Sequence, residues 1–352
     1  MVRFEKCWWL AAILYGSLAA AAEPLRYDDP QPQRYEFSAR ASELDPRCES
    51  HPEINFLLEK DGKPQDVQQA AVDTRVAPQG KLVIWLMGHS PPLFESVSGY
   101  GLHVLRVHYA NGWFAQFGKE PPPDDGKFLG KIRLEAAIGE DVSGAVDIPF
   151  PDSIKSRAFQ FVKWLSQEHP AGHWDLFLNE AGDDLRWDRV ILAGASHGAT
   201  TAARFAKHQR VDRVVMFCGP RDQYETWQAL PSATPAQRFF GFSHVLDTGW
   251  SGDHYCRSWE LLGLAEFGPI VSVDSSRPPY ESTRRLITAA DVNQDVNRAH
   301  SCVVPGKGSV KDAAGNFVHE AVWRYLFTHP TAQTGTPTPA APECRKNLRE
   351  MK

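Results

Sequence analysis

Short apolar runs alternate with stretches of helical period over most of this 352-residue chain. Arg189 to Ala193 is brief, rich in β-branched side chains and apolar after its first residue, and Lys81 to Leu86, Leu102 to Tyr109 and Val211 to Cys218 are further short strand-like runs. Strands covered on both faces of a parallel sheet read this way. Arg238 to Leu246 and Arg284 to Thr288 complete the strand set. Between them, Pro92 to Tyr100 reads as a short helix. Ile154, Ala158, Phe161, Val162 and Leu165 lie on one face of a longer helix that Asp152 or Ser153 would cap. Ala199, Ala202, Ala203 and Phe205 mark a third helix, Tyr255 to Leu264 a fourth, and Phe317 to Leu326 a closing one. Strand, helix, strand in this order implies right-handed parallel crossovers and an α/β fold with a mostly parallel central sheet.

The segments that break the rhythm define the organisation. Residues 1–22 place Arg3 and Lys6 before the apolar run Cys7 to Leu18 and end in small residues, the pattern of a cleaved export signal. The run is shorter than the ~20 residues that span a bilayer, so no stable membrane anchor is expected. Cys7 stands at the start of the run, where a lipid-bearing cysteine would not be. Residues 23–79 are polar and proline-rich and read as an N-terminal arm with edge elements. Residues 80–330 carry the α/β domain. Within it, 111–151 is irregular, with Trp113, Phe114 and Phe117 ahead of Pro121-Pro122-Pro123, and reads as a cap or lid. Residues 331–352 are Thr/Pro/Ala-rich and then charged, a flexible tail unless Cys344 pins it.

Charge and cysteine usage narrow the class. A formal net charge of −5 gives no basic footprint for nucleic acid. Export would put Cys48, Cys218, Cys256, Cys302 and Cys344 in an oxidising compartment, periplasmic or extracellular. Five is odd, so at least one stays free, and Cys218 at the end of an apolar strand is the expected buried thiol. Bridges Cys256–Cys302 and Cys48–Cys344 are the expected pairing among three alternatives. His169 and His173 are four apart, but Pro170 and Gly172 break the helix that would align them on a metal. Neither H-E-x-x-H nor a cysteine pair at zinc spacing occurs. No metal or cofactor is expected.

The stretch with the most chemistry is Gly194-Ala195-Ser196-His197-Gly198, with a buried strand before it and a helix after it. A sharp strand-to-helix turn lifts a serine hydroxyl clear of the sheet, and the flanking glycines supply the space. In this the sequence resembles the α/β-hydrolase superfamily, the esterase and lipase-like branch of secreted bacterial serine hydrolases. The resemblance implies the chain order Ser, acid, His. His300 follows the last strand and precedes the last helix, and so fits the base. Asp247, ending the preceding strand, fits the acid; Asp222, one strand earlier, is the alternative, and Asp253 a weaker third. The His197 amide would bind an oxyanion. The resemblance puts the second donor after the Lys81 to Leu86 strand, at His89, with Gly88 allowing close approach. Met87 stands where this superfamily commonly has histidine.

These residues imply a Ser196–His300–Asp247 triad that cleaves carboxylic esters through an acyl-enzyme, on a small-molecule or polymeric ester. The aromatics near 113–117 suit a lipase-like or aryl esterase. A peptidase, amidase or thioesterase of the same fold would use the same residues, and a catalytically silent scaffold of that fold is the reading from another class.

Overall fold

The computed structural model describes residues 25–118, 127–222, 226–251, 254–340 and 344. The export-signal reading of residues 1–22, Asp253, Pro121-Pro122-Pro123 of the 111–151 insertion and most of the charged end of the tail lie outside them. Among the described residues, no helix is long and apolar enough to cross a membrane.

Nine strands form one sheet: β1 (Arg34–Arg40), β2 (Val67–Asp73), β3 (Leu82–Leu86), β4 (His103–Arg106), β5 (Val190–Ala195), β6 (Arg213–Phe217), β7 (Phe239–His244), β8 (Ile270–Ser272) and β9 (Arg285–Thr288). Their spatial order is β1-β2-β4-β3-β5-β6-β7-β9-β8. The β1–β2 and β2–β4 pairs are antiparallel and every other pair is parallel. In the centre Ile84 stands opposite Leu192, and Leu192 opposite Val214. Every residue of β3 and β5 is buried, as a strand covered by helices on both faces must be.

The covering helices are α1 (Pro91–Gly99), α2 (Phe128–Ile138), α3 (Ile154–Glu168), α4 (His197–His208), α5 (His254–Leu261), α6 (Val296–Cys302) and α7 (Glu320–Thr328). The α3 face of Ile154, Ala158, Phe161, Val162 and Leu165 is fully buried. Ser153 caps this helix, its hydroxyl accepting from the Ser156 amide at 3.1 Å. Asp152 instead pairs with Arg157 and His51.

Several expectations are corrected here. The edge elements within residues 23–79 include two strands of the sheet, β1 and β2. The polar glutamines of β2 and its run of alanines gave it a weak strand pattern. Within 111–151 lies an eleven-residue helix, α2, with Leu129, Ile132 and Ala136 in a small core shared with Ile54, Phe56 and Trp113. Gly130, a buried Arg133 and a buried Glu135 interrupt its apolar period and hid it. Strand β8 was also unread. His300 sits in helix α6 rather than in a loop.

The disulfide joins Cys256 of α5 to Cys344, and Cys48, Cys218 and Cys302 are free and buried. Neither expected bridge forms. The Cys48 thiol donates to the Ala41 and Pro151 carbonyls, and the Cys302 thiol to Ala299 within α6, so both point away from a partner. The tail up to residue 340 is held as well: the Gly335 amide donates to Ser282, the Thr338 amide to Ala265, and Arg285 donates to the Thr338 hydroxyl. Composition alone concealed these backbone bonds.

The bridge closes a separation of 88 residues, so its removal should free much chain entropy, about 2–5 kcal/mol for a loop of this size. A reductant should therefore lower the thermal midpoint of the native chain and leave that of Cys344→Ser unmoved. Equal midpoints for the native chain with and without reductant would show that the bridge contributes nothing.

Candidate active site

The carboxyl ends of β3, β5, β6 and β7 meet along one edge of the sheet, where open α/β folds place their sites. Between β5 and α4 the chain turns at Ser196, which takes φ 53° and ψ −116°, a sparsely populated region for a side-chain-bearing residue. The Ser196 amide donates to the Phe217 carbonyl of β6 at 2.9 Å, which anchors the turn to the sheet. A Cβ on Gly194 would lie 2.4 Å from the Gly198 carbonyl carbon, and one on Gly198 only 1.5 Å from the Leu86 carbonyl oxygen. The strand-to-helix crossing therefore requires both glycines.

Ser196 opens into a cavity of about 430 Å³, walled mostly by apolar atoms. Trp85, Met87 and Gly88 come from the β3 end, Cys218 from the β6 end, and His300 with the segment 304–308 from the far side. None of the described residues of 111–151 lines it.

His300 is one-third exposed, and its Nδ1 donates to Asp247 Oδ2 at 2.6 Å. The Asp247 carboxylate is fully buried, and its other oxygen accepts from the Gly249 amide at 2.7 Å and the Tyr255 hydroxyl at 3.2 Å. Three donors thus meet the carboxylate, two of them holding it in place for the bond that orients the imidazole. Burial opposes charge on His300; the hydrogen bond to Asp247, with Cys218 beside it, outweighs that and raises its pKa above the ordinary histidine value. Among the described residues the Ser196 hydroxyl has no hydrogen-bond partner, so the structure places Ser196 and His300 on one cavity without joining them directly. Catalytic hydrogen bonds are often long before substrate binds.

The alternative acid is engaged elsewhere. Asp222 takes a two-pronged ion pair from Arg133, Nε to Oδ2 at 2.7 Å and Nη2 to Oδ1 at 2.8 Å, and accepts from Trp227 Nε1 at 3.2 Å. Asp222 is not on His300. Arg133 Nη1 also reaches Thr201 Oγ1 at 3.0 Å, the His197 carbonyl at 3.3 Å and His197 Nδ1 at 3.2 Å. Burial, and then this guanidinium, hold His197 well below the usual histidine range, so its ring is neutral. Arg133 was not legible in the sequence, since a charged residue in an irregular stretch reads as surface.

The loop after β3 is braced by its carbonyls. Trp85 Nε1 donates to Gly88 at 2.9 Å, and Arg106 Nε to Met87 at 3.1 Å. Gly88 lies on the cavity wall, whereas the His89 ring packs edge-on against Phe94 at 4.6 Å. Cys218 is free, as expected of a buried thiol, but it ends its strand at φ 41° and faces the cavity.

Neither a protein-family model nor a curated protein matches the chain. Solved structures similar to it include esterase B from Lactobacillus rhamnosis, 13% identical over 78% of this chain and 80% of that one, with a TM-score of 0.36. Another is a sugar hydrolase from Lactococcus lactis, 12% identical over 74% and 92%, with a TM-score of 0.37. Both are distant. Independently of them, the sheet order, the antiparallel edge pair and the serine turn between the fifth strand and its helix define an α/β-hydrolase fold.

Proposed function

We propose that this chain is an exported serine hydrolase that cleaves carboxylic esters through an acyl-enzyme. The observation that carries the reading is a serine held at positive φ on a strand-to-helix turn, facing one cavity with a histidine whose far nitrogen is bonded to a buried aspartate. A serine hydroxyl is a weak nucleophile near neutral pH and needs such a base. His300 acts in its neutral form, above its raised pKa, with its one proton held on Nδ1 by Asp247, so Nε2 is free to accept the Ser196 proton. Ser196 Oγ then bonds to the ester carbonyl carbon. The charge that develops on the carbonyl oxygen is met by the amides of His197 and His89, with Gly88 leaving room. His300 returns the proton to the departing alcohol. Water, deprotonated by the same imidazole, releases the acid. A cavity of about 430 Å³ with apolar walls suits a small ester.

The test is hydrolysis of short-chain p-nitrophenyl esters together with covalent capture by a fluorophosphonate. A folded chain that does neither would overturn the proposal. The roles of the two aspartates separate cleanly. Asp247→Asn should lower kcat by about 10⁴, because an amide at that position presents the wrong partner to Nδ1–H. Asp222→Asn should lower stability instead and leave kcat per folded molecule within about tenfold. The reverse ranking would assign the acid to Asp222.

A further inference from the structure

The catalytic reading uses Ser196, His300 and Asp247 and leaves the Cys218 thiol without a task. Yet Cys218 Sγ, a ring nitrogen of His300 and a carboxylate oxygen of Asp247 all lie within 4.8 Å of one another, among buried or half-buried groups at the cavity wall. A thiolate, an imidazole and a carboxylate make a mixed donor set that suits Zn²⁺, and Mg²⁺ poorly. In tetrahedral zinc sites the ligand atoms stand about 3.3–3.6 Å apart, so a bound ion sets Cys218 Sγ, which lies within 4.8 Å of the other two, at that spacing and parts His300 Nδ1 from Asp247 Oδ2, which stand 2.6 Å apart. None of the three side chains is bridged or locked by a cation: Cys218 is a free thiol, and Asp247 is bonded only to neutral donors besides His300.

We propose that Cys218, His300 and Asp247 form an inhibitory site for a borderline-soft divalent cation such as Zn²⁺. Binding forms metal–sulfur, metal–nitrogen and metal–oxygen bonds; the thiol proton leaves to solvent and the Nδ1 proton passes to Nε2, or to solvent where the imidazole is already charged, with no change of oxidation state. The ion replaces the His300–Asp247 hydrogen bond and takes the imidazole that Ser196 requires. Ester hydrolysis therefore stops without any loss of the fold.

Binding is read independently of catalysis by titrating Co²⁺ into the full chain and following its thiolate-to-cobalt absorption, with Zn²⁺ displacing the Co²⁺. The native chain and Cys302→Ser should give the band; Cys218→Ser and Cys218→Ala should not. In parallel, Zn²⁺ should inhibit ester hydrolysis at least tenfold at concentrations where Mg²⁺ has no effect. The zinc concentration for half-inhibition should rise at least tenfold in Cys218→Ser, measured against that variant's own starting rate. Absence of the band in the native chain, or its persistence in both folded Cys218 variants, overturns the site. The inhibitory consequence rests on the proposed function, but the absorption does not: a band without esterase activity would sink the ester hydrolase reading alone, and activity without a band would sink the metal site alone.

Discussion

Replacing Ser196 by alanine is expected to abolish fluorophosphonate labelling and to lower ester turnover by about 10⁴–10⁶, while the chain folds as before. The size of the loss follows from losing the hydroxyl oxygen that forms the acyl bond with the aid of His300. The retention of fold follows from three local facts. The Ser196 hydroxyl has no hydrogen-bond partner among the described residues, so its removal orphans none of them. The anchoring contact, to the Phe217 carbonyl, is made by the backbone amide and survives any side chain. Alanine also tolerates φ 53° no better and no worse than serine. Glycine differs. Strain at such a position costs about 1–3 kcal/mol, whereas the extra freedom of an unfolded glycine costs about 0.5–1 kcal/mol. Ser196→Gly should then be equally inactive but about 1 kcal/mol more stable than Ser196→Ala, by urea denaturation. This pairing of inactivity with a gain in stability would identify strain held for function. Labelling of Ser196→Ala at the native rate would place the nucleophile elsewhere, with Cys218 the next residue to replace.

The parts of this molecule that were readable in the sequence share a cause: they depend on local pattern. A fully buried parallel strand such as β5 (Val190–Ala195) must be apolar throughout, and the turn at Ser196 cannot form without Gly194 and Gly198. Both leave marks within a few residues. Helix α3 announced itself by its apolar face and its serine cap for the same reason. What was hidden depends on partners distant in sequence. Glu135 is buried because amides of Ser143 and Ile148 satisfy it, and Arg133 because Asp222 lies 89 residues away. A helix with buried charges loses its apolar period and reads as loop. Cysteine pairing failed similarly, since only the fold brings Cys344 to Cys256 and turns the Cys48 and Cys302 thiols inward. The acid at the site was an intermediate case. Chain order favours Asp247 and leaves Asp222 as an alternative, and what sets them apart in the fold is that Asp247 is bonded to His300 while Arg133 occupies Asp222.

That occupancy sets the second large effect, expected for Arg133→Met. Methionine is close to arginine in length and apolar, so packing over Trp113 and Phe114, which the guanidinium covers at 5.2 and 5.5 Å, is largely retained. What is lost is the charge. Asp222 would stay buried with Trp227 Nε1 as its remaining side-chain donor, and a buried carboxylate stripped of its partner costs about 3–5 kcal/mol. Urea denaturation should show a loss of that size. Arg133→Lys should recover little of it, because an ammonium cannot supply two parallel bonds to the carboxylate and a third to Thr201. Pairing the change with Asp222→Leu should recover most of it, since both charges then leave the interior together and no ion is stranded. Catalysis supplies a separate readout. Arg133 Nη1 holds the His197 carbonyl and the Thr201 hydroxyl, one residue and one turn beyond Ser196, and so steadies the helix start whose amide faces the developing oxyanion. At temperatures where Arg133→Met is fully folded, kcat for a short-chain ester should fall about tenfold with KM little changed, because an interaction made chiefly in the transition state is weakened. The stable Arg133→Met, Asp222→Leu pair should keep that defect. If restoring stability also restored kcat, Arg133 would be holding up the fold alone, and the positioning of the His197 amide would have to be assigned to the Ser196 turn and its glycines.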